Sequence, residues 1–469
     1  MDILKNNEKL LRLRRNLYGA RIVILGFARE GQDTFRFLRR LFPKKTIGIA
    51  DRLEITSLPP NVQKLLSHVF HDREKCVIGH FGKDYLKAIK DYDVIIKSPG
   101  ISLKTIKPFI KKEQKITSQT EIFFENCPGK IIGITGTKGK STTASLIYEV
   151  LKEGGLKAHL VGNIGKPVLL NSFWAKPDDI FVYELSSHQL MSLDKSPQIA
   201  VFLNIYPEHL DYYKNFREYL RAKQNICRFQ GKTDFFLYNP QNKYVRATVS
   251  ITRAQKIALD PRKVLFFLKN CGRSDLPQFG VRLLGDFNLL NMAAALEVGR
   301  IFHIHDKKIF QTIKNFKPLS HRLEFIGEFR GIKFYNDSLA TIPEATIAAL
   351  QALGSRVETI FLGGFDRGLD FKVLAKAVLE SDLKNIIFFP TTGVRIWREI
   401  GKLNRKNRFF KVIFTGKMKQ GVVFAFKYTS PGKICLLSCA SPSFGVFKDY
   451  RDRGEQFKKY VYEGGKNKF

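Results

Sequence analysis

The run Gly133-Ile-Thr-Gly136-Thr137-Lys138-Gly139-Lys140-Ser141-Thr142-Thr143 carries the strongest chemical signal in the sequence. Glycines at this density let backbone amides curl around phosphate oxygens. Lys140 supplies a cation for the β and γ phosphates of a nucleotide, and Ser141 offers a hydroxyl to Mg²⁺. A helix beginning at Ser141 adds its N-terminal dipole to the same anion site. The spacing departs from the strict P-loop: Ile134 sits five residues before Gly139, with Gly133 one residue earlier. Glu184 ends the apolar run Ile180-Phe-Val-Tyr-Glu184. Ligands collect at the ends of parallel strands and hard cations prefer oxygen, so Glu184 is expected to bind Mg²⁺ with Ser141. The competing reading has Glu184 capping a helix that starts at Ser186. Near the start of the chain, Gly26-Phe-Ala-Arg29-Glu30-Gly31 is a degraded G-x-G-x-x-G with Ala28 at the middle glycine. Asp51 ends the strand that follows. In dinucleotide enzymes such an acid holds a ribose, which raises hydride transfer as an alternative. The ATP-type loop at 133–143 argues against it.

These residues need parallel strands to position them. Arg21-Ile-Val-Ile-Leu-Gly26, a helical pattern over 33–41 and Thr46-Ile-Gly-Ile-Ala-Asp51 form the opening of a nucleotide-binding βαβ unit. A third strand over 93–97 ends in the turn Ser98-Pro99-Gly100, and 115–118 is strand-like. A helix over 121–125 is broken by Cys127-Pro128-Gly129. A second block opens with a buried strand over 130–135 and the helix Ser141 to Glu153. Strands recur at 180–184 and 199–204, and Phe216 to Ile226 has helical spacing. Residues 228–284 read as less regular and strand-rich, followed by a helix over 289–302. A third block has strands at 333–335, 358–362, 385–389, 410–414 and 433–437. Strands alternating with helices predict parallel α/β sheets in each block. The expected domains are 1–120, 121–320 and 321–469.

Thr135-Gly-Thr-Lys-Gly-Lys-Ser-Thr142 resembles the ATP loop of the Mur ligases and their folylpolyglutamate synthase relatives. Further segments resemble the glutamate-adding members of that family, in order along nearly the whole chain. They are Glu184-Leu-Ser-Ser-His-Gln-Leu190, Leu203-Asn-Ile-Tyr-Pro-Glu-His209-Leu-Asp211, Tyr219-Leu-Arg-Ala-Lys223 and Gly285-x-x-Asn288-x-x-Asn291. They continue with His321-Arg322-x-Glu324, Asn336-Asp337-Ser338, Leu362-Gly-Gly-Phe-Asp-Arg367, Ser441-Pro-Ser443 and Tyr450-x-x-Arg453. The resemblance implies a Rossmann-like N-terminal domain for the UDP-sugar substrate and a P-loop-type central ATPase domain with a mostly parallel sheet. It implies a Rossmann-like C-terminal domain that brings in glutamate and closes over the site. The implied reaction joins glutamate to UDP-N-acetylmuramoyl-L-alanine through an acyl phosphate, with ATP and Mg²⁺, in peptidoglycan precursor synthesis.

Residue roles follow from that resemblance. Gly136, Thr137, Lys138, Gly139, Lys140, Ser141, Thr142, Asn291, Arg322 and Asp337 are expected on ATP. Arg29, Glu30, Asp51 and Asn163 are expected on the UDP-sugar substrate. Thr341, Arg367, Ser443 and Tyr450 would form the glutamate pocket, with Arg367 as the clamp, since a guanidinium binds a carboxylate bidentately. His209 is given a second Mg²⁺ and a place beside the acyl phosphate. Lys223, otherwise a solvated helical lysine, would be carbamylated to give that Mg²⁺ an oxygen ligand. Lys140, His209 and Lys223 make up the catalytic set, and Ser141, Glu184, His209 and Lys223 the metal set. Three positions depart from the family. Phe287 stands where His is usual, Leu339 replaces a Lys, and Ser438-Cys-Ala-Ser-Pro-Ser443 replaces Ser-Pro-Ala-Cys-Ala-Ser. Lys138 and Arg367 are the candidates to make good the missing cation. The departures keep L-glutamate, or another amino acid, open as the substrate.

Composition bounds the partners more than the fold. The 469 residues are 44% hydrophobic and 26% charged, which excludes wholesale disorder. Lys plus Arg number 79 against 43 Asp plus Glu, a net charge of +36. That excess suits anionic ligands or a lysine-biased genome, and it motivates one reading from another class, a nucleic-acid-binding NTPase. No basic stripe with interleaved aromatics is visible, so no specific nucleic acid is expected. Cys76, Cys127, Cys227, Cys271, Cys435 and Cys439 are too scattered for a disulfide scaffold. The first residues lack an apolar leader pattern and read as a short amphipathic helix, and no 18-residue apolar run exists. The expectation is a cytoplasmic, monomeric enzyme.

Overall fold

The computed structural model describes residues 7–71, 76–209, 212–270, 283, 285, 287–405 and 407–466. Asp211, Cys271 and Asp286 lie outside the described residues. Three sheets run in order along the chain. The first holds β1 (Ile22–Leu25), β2 (Ile47–Asp51), β3 (Val77–Phe81), β4 (Val94–Lys97) and β5 (Lys115–Thr117) in the order β3-β2-β1-β4-β5. The second holds β6 (Lys130–Thr135), β7 (Ala158–Gly162), β8 (Ile180–Glu184), β9 (Ile199–Phe202), β10 (Phe235–Tyr238) and β11 (Gln255–Ala258) in the order β11-β10-β9-β6-β8-β7. Every pairing in both is parallel. Strands such as β1 and β8 are buried along their whole length, because helices cover both faces.

The third sheet holds β12 (Glu324–Phe329), β13 (Ile332–Asn336), β14 (Val357–Gly363), β15 (Asn385–Phe389), β16 (Lys411–Phe414) and β17 (Ile434–Leu437), ordered β12-β13-β17-β14-β15-β16. Here the expectation of purely parallel pairing is corrected. β12 and β13 form an antiparallel hairpin. Arg330 and Gly331 turn it with φ of 52° and 74°, the left-handed pair that a two-residue turn of matching twist requires. The strand-rich expectation for 228–284 is also refined: β10 and β11 alternate with helices Lys243–Ala247 and Pro261–Asn270.

Helix starts fall a few residues from where apolar periodicity begins. The helix expected from Asp33 spans Arg29–Leu41, its first turn being too polar to signal. The helix after the glycine-rich loop spans Lys140–Glu153, with Gly139 at its N-cap at φ 89°. The helix Glu8–Leu17 buries Leu10, Leu13 and Leu17, and Asn7 caps it through Leu10 N.

The described residues pack as two compact units, Met1–Val264 with Leu290–Thr312, and Leu265–Leu289 with Ile313–Phe469. The first unit contains two sheets around one continuous apolar core, from Leu10 and Ile24 through Phe123 and Tyr183 to Phe236. Buried Asp33 joins them: Oδ2 accepts from Gln119 Nε2 and from Leu169 N, both at 2.9 Å. The second unit has its own cores on the two faces of the third sheet.

Gly31 shows how tightly the first βαβ unit closes. A Cβ there would lie 2.1 Å from the backbone oxygen of Gly26. Backbone cannot yield cheaply, so Gly31→Ala is expected to cost about 3 kcal/mol of stability in denaturant titration. A loss below about 0.5 kcal/mol would contradict this packing.

Candidate active site

The glycine-rich loop leaves β6, whose neighbours are β8 and β9, so its surroundings come from the ends of those strands. Asn204, just past β9, ties the loop down. Its carbonyl accepts from Thr137 N at 2.8 Å, its Oδ1 from Lys138 N at 2.8 Å, and its Nδ2 donates to Lys138 O at 3.0 Å. Behind the loop, Thr143 Oγ1 donates to Asn291 Oδ1 at 2.9 Å. A Cβ on Gly139 would lie 2.6 Å from that same oxygen, so both φ and space demand glycine. Asn291 therefore braces the back of the loop. Thr142 is buried beside it, and Ser141 is half-buried in the first helical turn.

Two lysines converge on one carbonyl. Lys140 Nζ donates to Gly136 O at 3.0 Å and Thr137 O at 3.1 Å. Lys223 Nζ donates to the same Gly136 O at 3.0 Å and to Thr135 Oγ1 at 3.3 Å. Lys223 is only 2% exposed, so it is not a solvated helical lysine. It shares the buried face of the helix Phe216–Arg228 with Tyr219 and Ile226. Burial, and then the charge on Lys140, push its ammonium well below the usual lysine range. The result is a buried amine whose charged form is disfavoured, beneath the glycine-rich loop.

Glu184 stands at the end of β8, in register with Ile134 of β6, and is 4% exposed. Its Oε2 is buried without a hydrogen-bond partner. It is not a helix cap: Ser186 caps Ser187–Leu190 in a reciprocal box with Gln189. A buried carboxylate oxygen left without a donor fits a cation. No group of three His, Cys, Asp or Glu suited to a metal exists among the described residues. That still suits Mg²⁺, which takes one or two carboxylates and fills the rest with phosphate and water. His209 sits in a left-handed turn at φ 58°, its ring 5.1 Å from that of His188 and 6.1 Å from that of Tyr219. Glu208 beside it pairs with Lys138 at 2.8 Å.

A cleft of about 450 Å³ opens in the first unit where the order of the first sheet reverses, between the loop after β1 and the turn after β4. Ala28, Arg29 and Glu30 line one side and Ser98, Pro99 and Gly100 the other, with Asn163, Ser186 and His188 from the second sheet. Lys97 pins the turn by donating to Ser98 O at 3.1 Å and Ile101 O at 2.7 Å. Arg29 donates to Gly165 O. Asp51 braces the β1 loop: its carboxylate accepts from Phe27 N at 2.6 Å and Leu53 N at 2.9 Å. Glu30 Oε1 accepts from Gln189 Nε2 at 2.8 Å, while Oε2 is buried without a partner.

The remaining expected residues belong to the second unit. Asp337 is buried, accepting from Leu323 N at 3.1 Å and Ser438 Oγ at 2.8 Å, and burial pushes its carboxyl up to about 7. It holds the turn that carries Arg322. The loops after β14 and β17 meet: Phe365 N donates to Pro442 O at 2.8 Å, and the Arg367 guanidinium lies 5.8 Å from the Phe444 ring centre, next to buried Ser443. Tyr450 opens the last helix, its carbonyl accepting from Ser338 Oγ at 2.7 Å. Thr341 is half-buried ahead of the helix Pro343–Leu353. Fully buried Arg453 joins these loops, donating to Ser338 Oγ, Ser338 O and Ser441 O at 3.0, 2.8 and 3.0 Å. Arg453 and His188 stand within the motifs named above, but the sequence assigns neither a role.

Glu30 makes the cleft pH-sensitive. Burial pushes its carboxyl up to about 7, against the lowering effect of the Gln189 hydrogen bond. A raised carboxyl destabilises the fold where the folded protein must give up that proton. The penalty is absent below about pH 4.5, grows through pH 7 and is complete above it. Glu30→Gln is therefore expected to raise the melting temperature at pH 8 and to leave it unchanged at pH 4.5. An equal shift at both values would contradict this.

Comparison with known proteins agrees with the geometry. Residues 134–299 match the Mur ligase middle domain. A UDP-N-acetylmuramoylalanine--D-glutamate ligase of Clostridium tetani is 31% identical over 97% of this chain and 99% of its own length. One from Clostridium botulinum is 34% identical over 94% and 96%. Among solved structures, the UDP-N-acetylmuramate-alanine ligase of Thermotoga maritima superposes with a TM-score of 0.57 at 15% identity, covering 95% of this chain and 100% of that one. The MurF ligase of the same organism, solved with ADP, gives 0.55 at 15% identity over 80% and 90%. At such identity these structures speak for the fold, and the full-length relatives speak for the branch. The chain belongs to the Mur ligase family, among the UDP-N-acetylmuramoylalanine--D-glutamate ligases.

Proposed function

We infer that this chain uses ATP to join D-glutamate to UDP-N-acetylmuramoyl-L-alanine, in the cytoplasm, as a step of peptidoglycan precursor synthesis. The observation that carries the reading is the convergence of Lys140, buried Lys223 and the orphaned Glu184 oxygen around one glycine-rich loop. Among the described residues no helix is long and apolar enough to cross a membrane, in keeping with a soluble substrate.

In this reading the UDP-sugar lies in the cleft of Arg29, Glu30 and Asn163, with Asp51 fixing the loop that receives it. Its terminal carboxylate takes the γ-phosphoryl group of ATP, giving an acyl phosphate and ADP. The amine of glutamate attacks the acyl carbon, and phosphate leaves. In-line phosphoryl transfer needs positioning and charge neutralisation more than a strong nucleophile. The backbone of Gly136–Thr142 cradles the phosphates, and Lys140 turns from its two carbonyls toward the transferring group. Asn291, Arg322 and Asp337 serve the nucleotide. Ser141 and Glu184 would hold one Mg²⁺, and His209 with Lys223 a second. Bound there, Mg²⁺ neutralises phosphate charge. Lys223 becomes an oxygen ligand when its free amine adds CO₂, forming a carbamate and releasing one proton. Thr341, Arg367, Ser443 and Tyr450 receive glutamate.

Purified protein with ATP, Mg²⁺, UDP-N-acetylmuramoyl-L-alanine and each glutamate enantiomer tests the reading through phosphate release and product mass. D-glutamate is expected to give the amide, and L-glutamate at least about 100-fold less. Turnover with L-glutamate alone, or with neither, would overturn it. Lys140→Ala is expected to lower kcat about 1000-fold. With ¹³C-bicarbonate, a carbamate carbon resonance should appear that Lys223→Arg abolishes. Its absence from the active enzyme would remove Lys223 from the metal set.

A further inference from the structure

The loop that carries Arg367 spans 364–371, between β14 and the helix Lys372–Glu380. Arg367 is exposed at its tip. A long side chain on an exposed loop loses rotamer entropy when it binds, so it clamps well only if the backbone beneath it is fixed. Arg395, in the first turn of the helix Thr392–Leu403, supplies that fixing. Its NH1 pairs with the Asp366 carboxylate, its NH2 donates to Leu369 O at 3.0 Å, and its guanidinium lies 5.3 Å from the Phe371 ring centre. Asp366 also accepts from Gly368 N at 2.8 Å. The residues held, 366, 368, 369 and 371, bracket Arg367. The same helix start anchors the loop's entry: Gly364 O accepts from Thr391 N at 2.7 Å and Thr392 N at 2.9 Å.

Stability does not account for this pair. Both side chains are more than a third exposed, and ion pairs of that kind contribute little to stability. What the fork does provide is geometry, one arm on a carboxylate and the other on a main-chain oxygen. A lysine cannot reproduce that reach.

We propose that Arg395 is a positioning residue for the incoming amino acid: by bridging Asp366, Leu369 and Phe371 it fixes how far the Arg367 guanidinium reaches, and so sets the side-chain length of the amino acid accepted. The proposal rests on Arg367 being the carboxylate clamp. A loop free to shift would meet the carboxylate of aspartate, one methylene shorter, almost as well as that of glutamate.

Steady-state kinetics of Arg395→Ala, Arg395→Lys and Arg367→Ala with D-glutamate, D-aspartate, ATP and UDP-N-acetylmuramoyl-L-alanine test it. Arg395→Ala is expected to raise KM for D-glutamate about tenfold, with KM for ATP and for the UDP-sugar changed less than about twofold. Its preference for D-glutamate over D-aspartate should fall by a similar factor, and Arg395→Lys should lie between. The melting temperature should move by less than about 3 °C. If Arg367→Ala leaves KM for D-glutamate unchanged, the clamp reading fails and this proposal with it. If Arg367→Ala raises that KM while Arg395→Ala leaves KM and amino-acid preference intact, the positioning proposal alone is overturned. Equal losses toward all three substrates, with a large drop in melting temperature, would make Arg395 structural and also overturn it.

Discussion

One carbonyl oxygen, that of Gly136, receives two lysine side chains at 3.0 Å each. Their nitrogens therefore lie no more than about 6 Å apart. Two full charges at that distance repel by about 3 kcal/mol at an effective dielectric of 20, before the cost of burying either. Burial bears on the conflict: Lys223 sits inside, where the ammonium is disfavoured, while Lys140 is half-buried at the start of its helix. The rest of the first unit is arranged around that choice. The end of β8 brings Glu184 to the loop, Asn204 holds the loop's amides, and Asn291 closes it from behind.

Much of this was legible in the sequence, for identifiable reasons. Buried parallel strands read as unbroken apolar runs, so β1, β6, β8, β9, β14 and β15 appear within a residue or two of their places. The hairpin strand β12 was missed because no residue of Glu324–Phe329 is fully buried and its glycine interrupts the alternation. Lys223 marks the limit for side chains. Composition cannot tell a buried lysine from a solvated one, and only its fit on the apolar face of Tyr219 and Ile226 decides. Asp51, Asp337 and Asn291 were expected at ligands, yet each spends hydrogen-bonding capacity on the protein, because a loop that grips phosphate or sugar must itself be gripped. Those braces pair residues distant in sequence, so local pattern does not reveal them.

The second unit uses arginine in the same way twice, with different consequences. Arg453 is wholly buried and satisfied by three oxygens, which makes it part of the framework on which the loops after β13 and β17 rest. Arg395 lies at the surface and governs a single loop. Depth separates the two roles: removing a buried cation's partners is costly, while a surface fork changes shape at little cost to the fold.

The continuous core of the first unit sets a boundary that binding roles do not suggest. In the proposed function the nucleotide-sugar loops belong to the first sheet and the phosphate loop to the second, yet Phe123, Phe181 and Tyr183 pack edge to face in one cluster with Ile24 and Leu38. Cutting the chain between β5 and β6 would strip aromatic surface from both pieces. The two ligand sites therefore share one folding transition, and heat or denaturant should abolish them together. Inheritance obeys the same limit: an exchange of sequence between related enzymes that respects the ligand sites but divides this core leaves two mismatched halves. The segment that can be traded intact is the pair of sheets.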